Sequence, residues 1–185
     1  MRWVNGMVED LGLGDRSRAI AINSAHQILV WTSIGTVIWQ DGVVTGLPDS
    51  AGCAGYDINS AGDVVAICES GSAVWRNGSR ENLGEDIRGY LINDKGDVLG
   101  EEITSAGAAI PVLIERDGTR LHLPNLGPPI DYAGPAGSPM SLSRTKGLVG
   151  GTGVNCPDVQ CGGGTAYVWI AYPRELVLPP PQGQQ

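Results

Sequence analysis

The chain has 185 residues and is 42% hydrophobic, ample for one folded core, and its length allows one domain or two small ones. A formal net charge of −8 repels phosphate and anionic headgroups, which argues against nucleic acid or an acidic membrane surface as partner. No apolar run approaches the ~20 residues that span a bilayer, so no membrane insertion is expected.

Glycine (28 residues) and proline (12) are both poor in helix interiors, and with no phenylalanine the core must be built from Trp, Val, Ile and Leu. The first element is a hairpin over Trp3–Leu11, turning at Asn5-Gly6. Asn-Gly and Asp-Gly suit a type I′ turn, which needs positive φ at both central residues. The same text returns at Trp39-Gln-Asp41-Gly42 and Trp75-Arg-Asn77-Gly78, and in weaker form at Glu115-Arg-Asp117-Gly118. Between these lies a second kind of hairpin: Ile22-Asn23-Ser-Ala-His26, Ile58-Asn59-Ser-Ala-Gly62 and Ile92-Asn93-Asp-Lys-Gly96, with a worn copy at Ser143-Arg-Thr-Lys-Gly147. Asn first and Gly fourth suit a type I turn followed by a left-handed residue. His26 stands in a glycine slot, where histidine tolerates positive φ better than most residues.

Trp3, Trp39 and Trp75 are spaced by 36 residues, as are Asn23 and Asn59, and Asn93 follows Asn59 by 34. Two landmarks sharing nearly one period define a repeat. One unit holds four short strands, a to d, with Asn-x-x-Gly between a and b and Asn/Asp-Gly between c and d. Such a unit points to an all-β fold, a β-propeller-like array of four-stranded antiparallel blades. Residues 1–178 are expected to form one repeat domain, with units near 1–16, 17–50, 51–86, 87–127 and 128–178, followed by a Pro/Gln-rich tail over 179–185. Five c–d hairpins, the last around Tyr167, Trp169 and Leu176–Leu178, face four a–b hairpins. The imbalance predicts a half-blade with an open strand edge, covered by upstream sequence or by a second copy of the chain.

Cys53 and Cys68 fall nearly opposite each other across a hairpin centred on Ser60 and Ala61, a bulge being able to shift them by one residue. Cys156 and Cys161 sit in the Gly-rich loop Gly150–Thr165. Two disulfides are the first reading, free thiols the second and zinc the last, because His26 and His122 are not near either pair in sequence.

These motifs resemble the HAF repeat family of probable extracellular bacterial proteins. Ala21-Ile22-Asn23, Asp57-Ile58-Asn59 and Leu91-Ile92-Asn93 match its first element. Val37-Ile38-Trp39 and Ala73-Val74-Trp75 match the second, and Asp10-Leu11-Gly12, Asn82-Leu83-Gly84 and Asn125-Leu126-Gly127 the third. The resemblance covers most of Trp3–Leu126. His26 replaces glycine, Glu115 replaces Trp, and the His-Ala-Phe triplet that names the family is absent. The resemblance implies secretion and a propeller-like fold, and no catalytic motif. Met1–Asp10 lacks a charged segment followed by an apolar run, so an extracellular or cell-surface location implies a mature or trimmed chain, the alternative being a cytoplasmic one.

Both tight turns of every unit are expected on one face, and the variable d–a and b–c loops on the other, where binding residues usually sit. Asp86, Glu101, Glu102, Asp131, Tyr132 and Asp158 are the candidate ligand-binding residues of that loop face. The expected function is recognition of a protein or glycan without catalysis. The alternatives are a glycoside hydrolase-like enzyme using loop carboxylates, or an architectural segment of a larger surface protein. No cofactor or metal is expected. Asp57-Ile-Asn59-Ser-Ala61-Gly62 resembles half a calcium loop, but Ala61 cannot ligate and Cys68 stands where the bidentate Glu belongs. No Ser or Cys can be placed beside either His, so no nucleophilic triad is assigned. The repeated Trp residues belong in the core next to Val and Ile.

Overall fold

The computed structural model describes residues 1–33, 35–123, 137–145, 148–153 and 165–170, and every regular element among them is a β-strand. β1 (Arg2–Val4) and β2 (Met7–Glu9) form a two-stranded sheet. β3 (Arg18–Ile22), β4 (Ile28–Thr32), β5 (Gly35–Gln40) and β6 (Val43–Gly46) form the first four-stranded antiparallel sheet. β7 (Cys53–Ile58), β8 (Val64–Cys68), β9 (Gly71–Arg76) and β10 (Ser79–Gly84) form the second. β11 (Ile87–Ile92), β12 (Val98–Ile103), β13 (Ala109–Ile114) and β14 (Arg120–His122) form the third. β15 (Gly137–Leu142), β16 (Leu148–Gly153) and β17 (Thr165–Ile170) make a three-stranded sheet. Strands within each sheet run in chain order, and none of these sheets closes on itself.

The short-turn chemistry holds at three sites. Asn5-Gly6, Asp41-Gly42 and Asn77-Gly78 have φ values of 50 and 80°, 49 and 85°, and 49 and 77°, as a type I′ turn requires. Asp117-Gly118 departs from this. Gly118 alone has positive φ (89°), Gly118 N–H bonds Glu115 O at 2.9 Å, and Glu115 N–H bonds Thr119 O at 2.8 Å. The turn is therefore the longer form otherwise found at the asparagines. The extra length moves the Trp position by one residue. Trp39 pairs with Ile28 and Trp75 with Val64, but in the third sheet Ile114, not Glu115, pairs with the equivalent Val98. Ile170, not Trp169, pairs with the corresponding Leu148. His26 has a φ of 60°, as its glycine slot requires.

Each a–b hairpin carries a β-bulge three residues before its turn, at Ile20, Tyr56, Tyr90 and Met140. The bulge aligns the cysteines. The five-residue turn of Asn59–Asp63, closed by Asn59 N–H to Asp63 O at 3.0 Å, would leave Cys53 one residue out of step with Cys68. The extra residue Tyr56 restores the register, and the two are paired and bridged with Cα atoms 4.0 Å apart. Cys156 and Cys161 lie outside the described residues.

Successive sheets pack face to face. From the second four-stranded sheet on, the first strand lies on the preceding sheet: β7 on β3, β4 and β5, β11 on β7, β8 and β9, and β15 on β11, β12 and β13. Leu29, Ile58 and Val64 fill the first interface, and Val65, Val74, Ile87, Ile92 and Val98 the second. Close approach explains the glycine ahead of the bulge. A Cβ at Gly89 would meet Val65 and Val98 methyls at 2.9 Å, and its N–H donates to Ser72 Oγ of the preceding sheet at 2.9 Å. Gly55 repeats this, its N–H donating to Thr36 Oγ1 at 2.9 Å.

The turn asparagines join the same sheets at one end. Asn23 Nδ2 donates to Asn59 O at 2.8 Å, and Asn59 Nδ2 donates to Asn93 O at 2.9 Å. The next unit has Ser143 instead. There Arg144 donates to Ile92 O at 2.8 Å, to Ile58 O at 3.0 Å and to buried Asp57 Oδ1 at 2.9 Å.

Trp39 and Trp75 are 2% and 1% exposed. Trp39 packs with Ile28 and Val37 against Leu11 and Leu13 of the preceding linker. Trp75 donates its indole N–H to Pro48 O at 2.6 Å, again in the preceding linker. Trp75→Ala should therefore lower unfolding stability by about 3–5 kcal/mol, measured by urea denaturation, whereas a loss below about 1 kcal/mol would contradict its core role.

Candidate functional site

The structure separates the acidic residues that the sequence groups together. Glu101 and Glu102 lie in β12, which runs on to Ile103, and not in a loop. Neighbouring side chains on a strand face opposite ways, so the two carboxylates diverge. Glu101 is buried and accepts a hydrogen bond from Tyr90 Oη at 2.9 Å. Glu102 faces Arg120 (3.0 Å) and His122 (3.2 Å) on β14. Asp86, in the linker between β10 and β11, bonds the same guanidinium at 2.8 Å. Arg120 also donates to Leu83 O at 3.0 Å, tying β10 of the second sheet to β14 of the third. The side-chain hydrogen bond from Arg120 holds the Asp86 carboxyl below its ordinary range and, reciprocally, raises the guanidinium pKa. A general acid at neutral pH needs the opposite shift. Asp86 and Glu102 thus converge on a cation and brace a loop. Asp131, Tyr132 and Asp158 lie outside the described residues.

A different set of side chains is left open. A cleft of about 850 Å³ between the first and second sheets is lined by Asp15, Arg16 and Ser17 of the linker, Arg18, Ile20 and Trp31 of the first sheet, and Ala54, Gly55 and Tyr56 of the second. It opens at the end of the sheets that carries the linkers. Trp31 is 44% and Tyr56 42% exposed, far from the near-zero values of the core aromatics. Trp31 faces out because β4 alternates at its end, Val30 and Thr32 being buried while Trp31 is not. Arg18 is its cross-strand partner on β3. Tyr56 is the bulge residue of β7, so the extra residue that aligns the cysteines also carries this ring.

The cleft continues past Tyr56. A second one, of about 360 Å³, lies between the second and third sheets and is lined by Tyr56, Tyr90, Arg88, Glu69 and Glu85. The Tyr56 and Tyr90 rings are 5.6 Å apart and inclined at 60°. Tyr90 is the equivalent bulge residue of β11. Two aromatic side chains from successive bulges, with Trp31 beside them, therefore line adjoining clefts.

Trp31, Tyr56 and Tyr90 are absent from the residues that the sequence picks out as binding candidates. A signal was present for two of them: each Tyr stands three residues before a turn asparagine, in Gly55-Tyr56 and Gly89-Tyr90. That the position is a bulge, with its side chain turned out of the sheet pairing, is not encoded by any local composition rule. Asp57 and Asn59 of the calcium-like stretch are engaged elsewhere. Asp57 Oδ2 accepts from Ile92 N–H at 3.0 Å, and Asn59 Nδ2 donates to Asp63 Oδ2 at 3.1 Å. Among the described residues no group of three or more His, Cys, Asp or Glu side chains could hold a metal ion. No family model, curated protein or solved structure matches the chain.

Burial, and next the Glu101 carboxylate, push the Tyr90 phenol up to about 12. A raised folded-state value means that this phenol's contribution to stability is whole below its ordinary value of 10.0 and is lost as the pH rises towards about 12. Ultraviolet titration of the phenolates should show a Tyr90 transition at about pH 12, and Glu101→Gln should lower its midpoint part of the way towards the ordinary value. An unchanged midpoint in that variant would contradict the Tyr90–Glu101 bond.

Proposed function

We propose that this chain is a propeller-like recognition module that works outside the cell, binds a protein or glycan ligand through its linker-bearing face, and belongs with the HAF repeat family it resembles. The observation that carries the reading is the open cleft with Trp31 and Tyr56 exposed on its wall. Concave sites with aromatic walls and a few polar groups are the usual form of a ligand site. Packing of the second four-stranded sheet on the first, and of the third on the second, supports the propeller-like arrangement. The Cys53–Cys68 bridge supports an oxidising compartment, and no helix among the described residues is long and apolar enough to cross a membrane. The neutralisation of Asp86 and Glu102 by Arg120 supports binding over hydrolysis. The separate β1–β2 sheet, with Met7 and Val8 exposed, supports self-association through an open edge.

The labelled protein should bind saturably to a subset of an array of glycans and extracellular proteins, and Tyr56→Ala should abolish that binding without lowering the melting temperature. Failure to bind any ligand on the array, or binding untouched by Tyr56→Ala, would contradict the reading. Release of new reducing ends from a bound glycan would favour the hydrolase alternative.

A further inference from the structure

Resting on that reading, we infer that the cleft between the first and second sheets is a subsite for an acidic saccharide, a pyranoside bearing a carboxylate, with Trp31 and Tyr56 as stacking platforms and Arg16 and Arg18 as the anion-binding pair.

The cation inventory points to the charge. Arg76 is buried against Asp63 and Glu81, Arg120 is held by Asp86 and Glu102, and Arg144 is paired with Asp57. Arg80 donates to Asp49 O at 2.9 Å and lies over the Trp75 ring. Arg16 and Arg18, by contrast, are exposed and make no ion pair among the described residues. In a chain of net charge −8, two unpaired guanidinium groups share one cleft with a single carboxylate, Asp15. A planar guanidinium offers two parallel N–H donors to a carboxylate. That geometry favours an anionic ligand over a neutral one.

The walls point to the sugar. Trp31 and Tyr56 supply broad apolar ring faces with a polar rim, the form that takes an amphipathic ring. Ala54 and Gly55, both small, complete the lining on the second sheet. The volume of about 850 Å³ is that of a site for a few linked rings. The adjoining cleft beyond Tyr56 carries Tyr90 and exposed Arg88 but also the carboxylates of Glu69 and Glu85, so the acidic ring belongs in the first cleft, where the arginines outnumber Asp15. A nucleic acid would also stack and carry anions, but its dense phosphate charge is repelled by the overall −8. A protein ligand remains an outcome of the test.

Isothermal titration of the full chain with an oligogalacturonate hexamer and with neutral maltohexaose separates the possibilities. The expected result is binding of the uronate at least about tenfold tighter than of the neutral hexamer, weakening as salt is raised. Trp31→Ala should weaken it about tenfold, and the Arg16→Gln, Arg18→Gln pair should remove the preference for the uronate. The exposure of all three side chains predicts unchanged melting. Equal, Trp31-dependent binding of both hexamers would overturn the acidic class while leaving the recognition reading in place. Uronate binding that survives Trp31→Ala would overturn the cleft assignment, and so would binding of neither hexamer beside a Tyr56-dependent protein ligand on the array. Absence of any ligand, saccharide or protein, would overturn the inference and the reading together.

Discussion

Asn59 has no solvent access, yet every polar atom of its side chain is bonded. Its Oδ1 accepts from Ala61 N–H at 3.0 Å and Asp63 N–H at 2.8 Å, which fixes its own turn. Its Nδ2 donates to Asp63 Oδ2 and to Asn93 O, which ties that turn to the next sheet. Asn23 does the same one unit earlier and Asn93 caps its own turn one unit later. A buried amide is tolerated only when its donors and acceptors are all used. Neither Asp, which lacks the donor, nor Ser, which is too short, can close the turn and cross to the next sheet at once. The repeat therefore keeps asparagine at this point for a reason that combines local turn chemistry with packing between sheets.

The exposed cleft depends on that seam. With the turns locked end to end, the a strands are held against the preceding sheets, and Gly55 and Gly89 are drawn in until no Cβ fits. The bulge after each glycine then places one surplus side chain outside the pairing. In the core-facing part of the unit such a residue would be a defect. On this side it becomes a ring, Tyr56 or Tyr90, at the rim of a cleft. Polar bonds between sheets and apolar burial thus act on the same strand from its two ends, and the rigid frame presents the aromatic residues between the linkers.

Much of this architecture was legible in the sequence. Two kinds of turn, each with its own φ requirement, located the hairpins, and the spacing of Trp and Asn gave the unit. The register of Cys53 and Cys68 followed nearly from symmetry about the turn, and was completed by a bulge that no composition rule announces. The substitution of Ile114 for the repeated Trp was not legible, because Asp117-Gly118 looks like a two-residue turn and folds as a longer one. The candidate cleft residues were the least visible. Acidic residues in loops drew attention by type, but Arg120 neutralises Asp86 and Glu102, and Tyr90 engages Glu101. Trp31 was hidden because β4 is buried on both faces up to Val30 and alternates only at its end, and Tyr56 because its bulge is not written in the strand's own text.

Hydrogen exchange on Asn59→Ala tests the seam most directly. The account predicts faster exchange at Gly96 N–H, which bonds Asn93 O in the third sheet, as well as at the altered turn itself, because the lost Nδ2 donor crosses between sheets. Acceleration confined to residues 59–63, with Gly96 unchanged, would contradict the claim that the asparagine ladder couples one unit to the next.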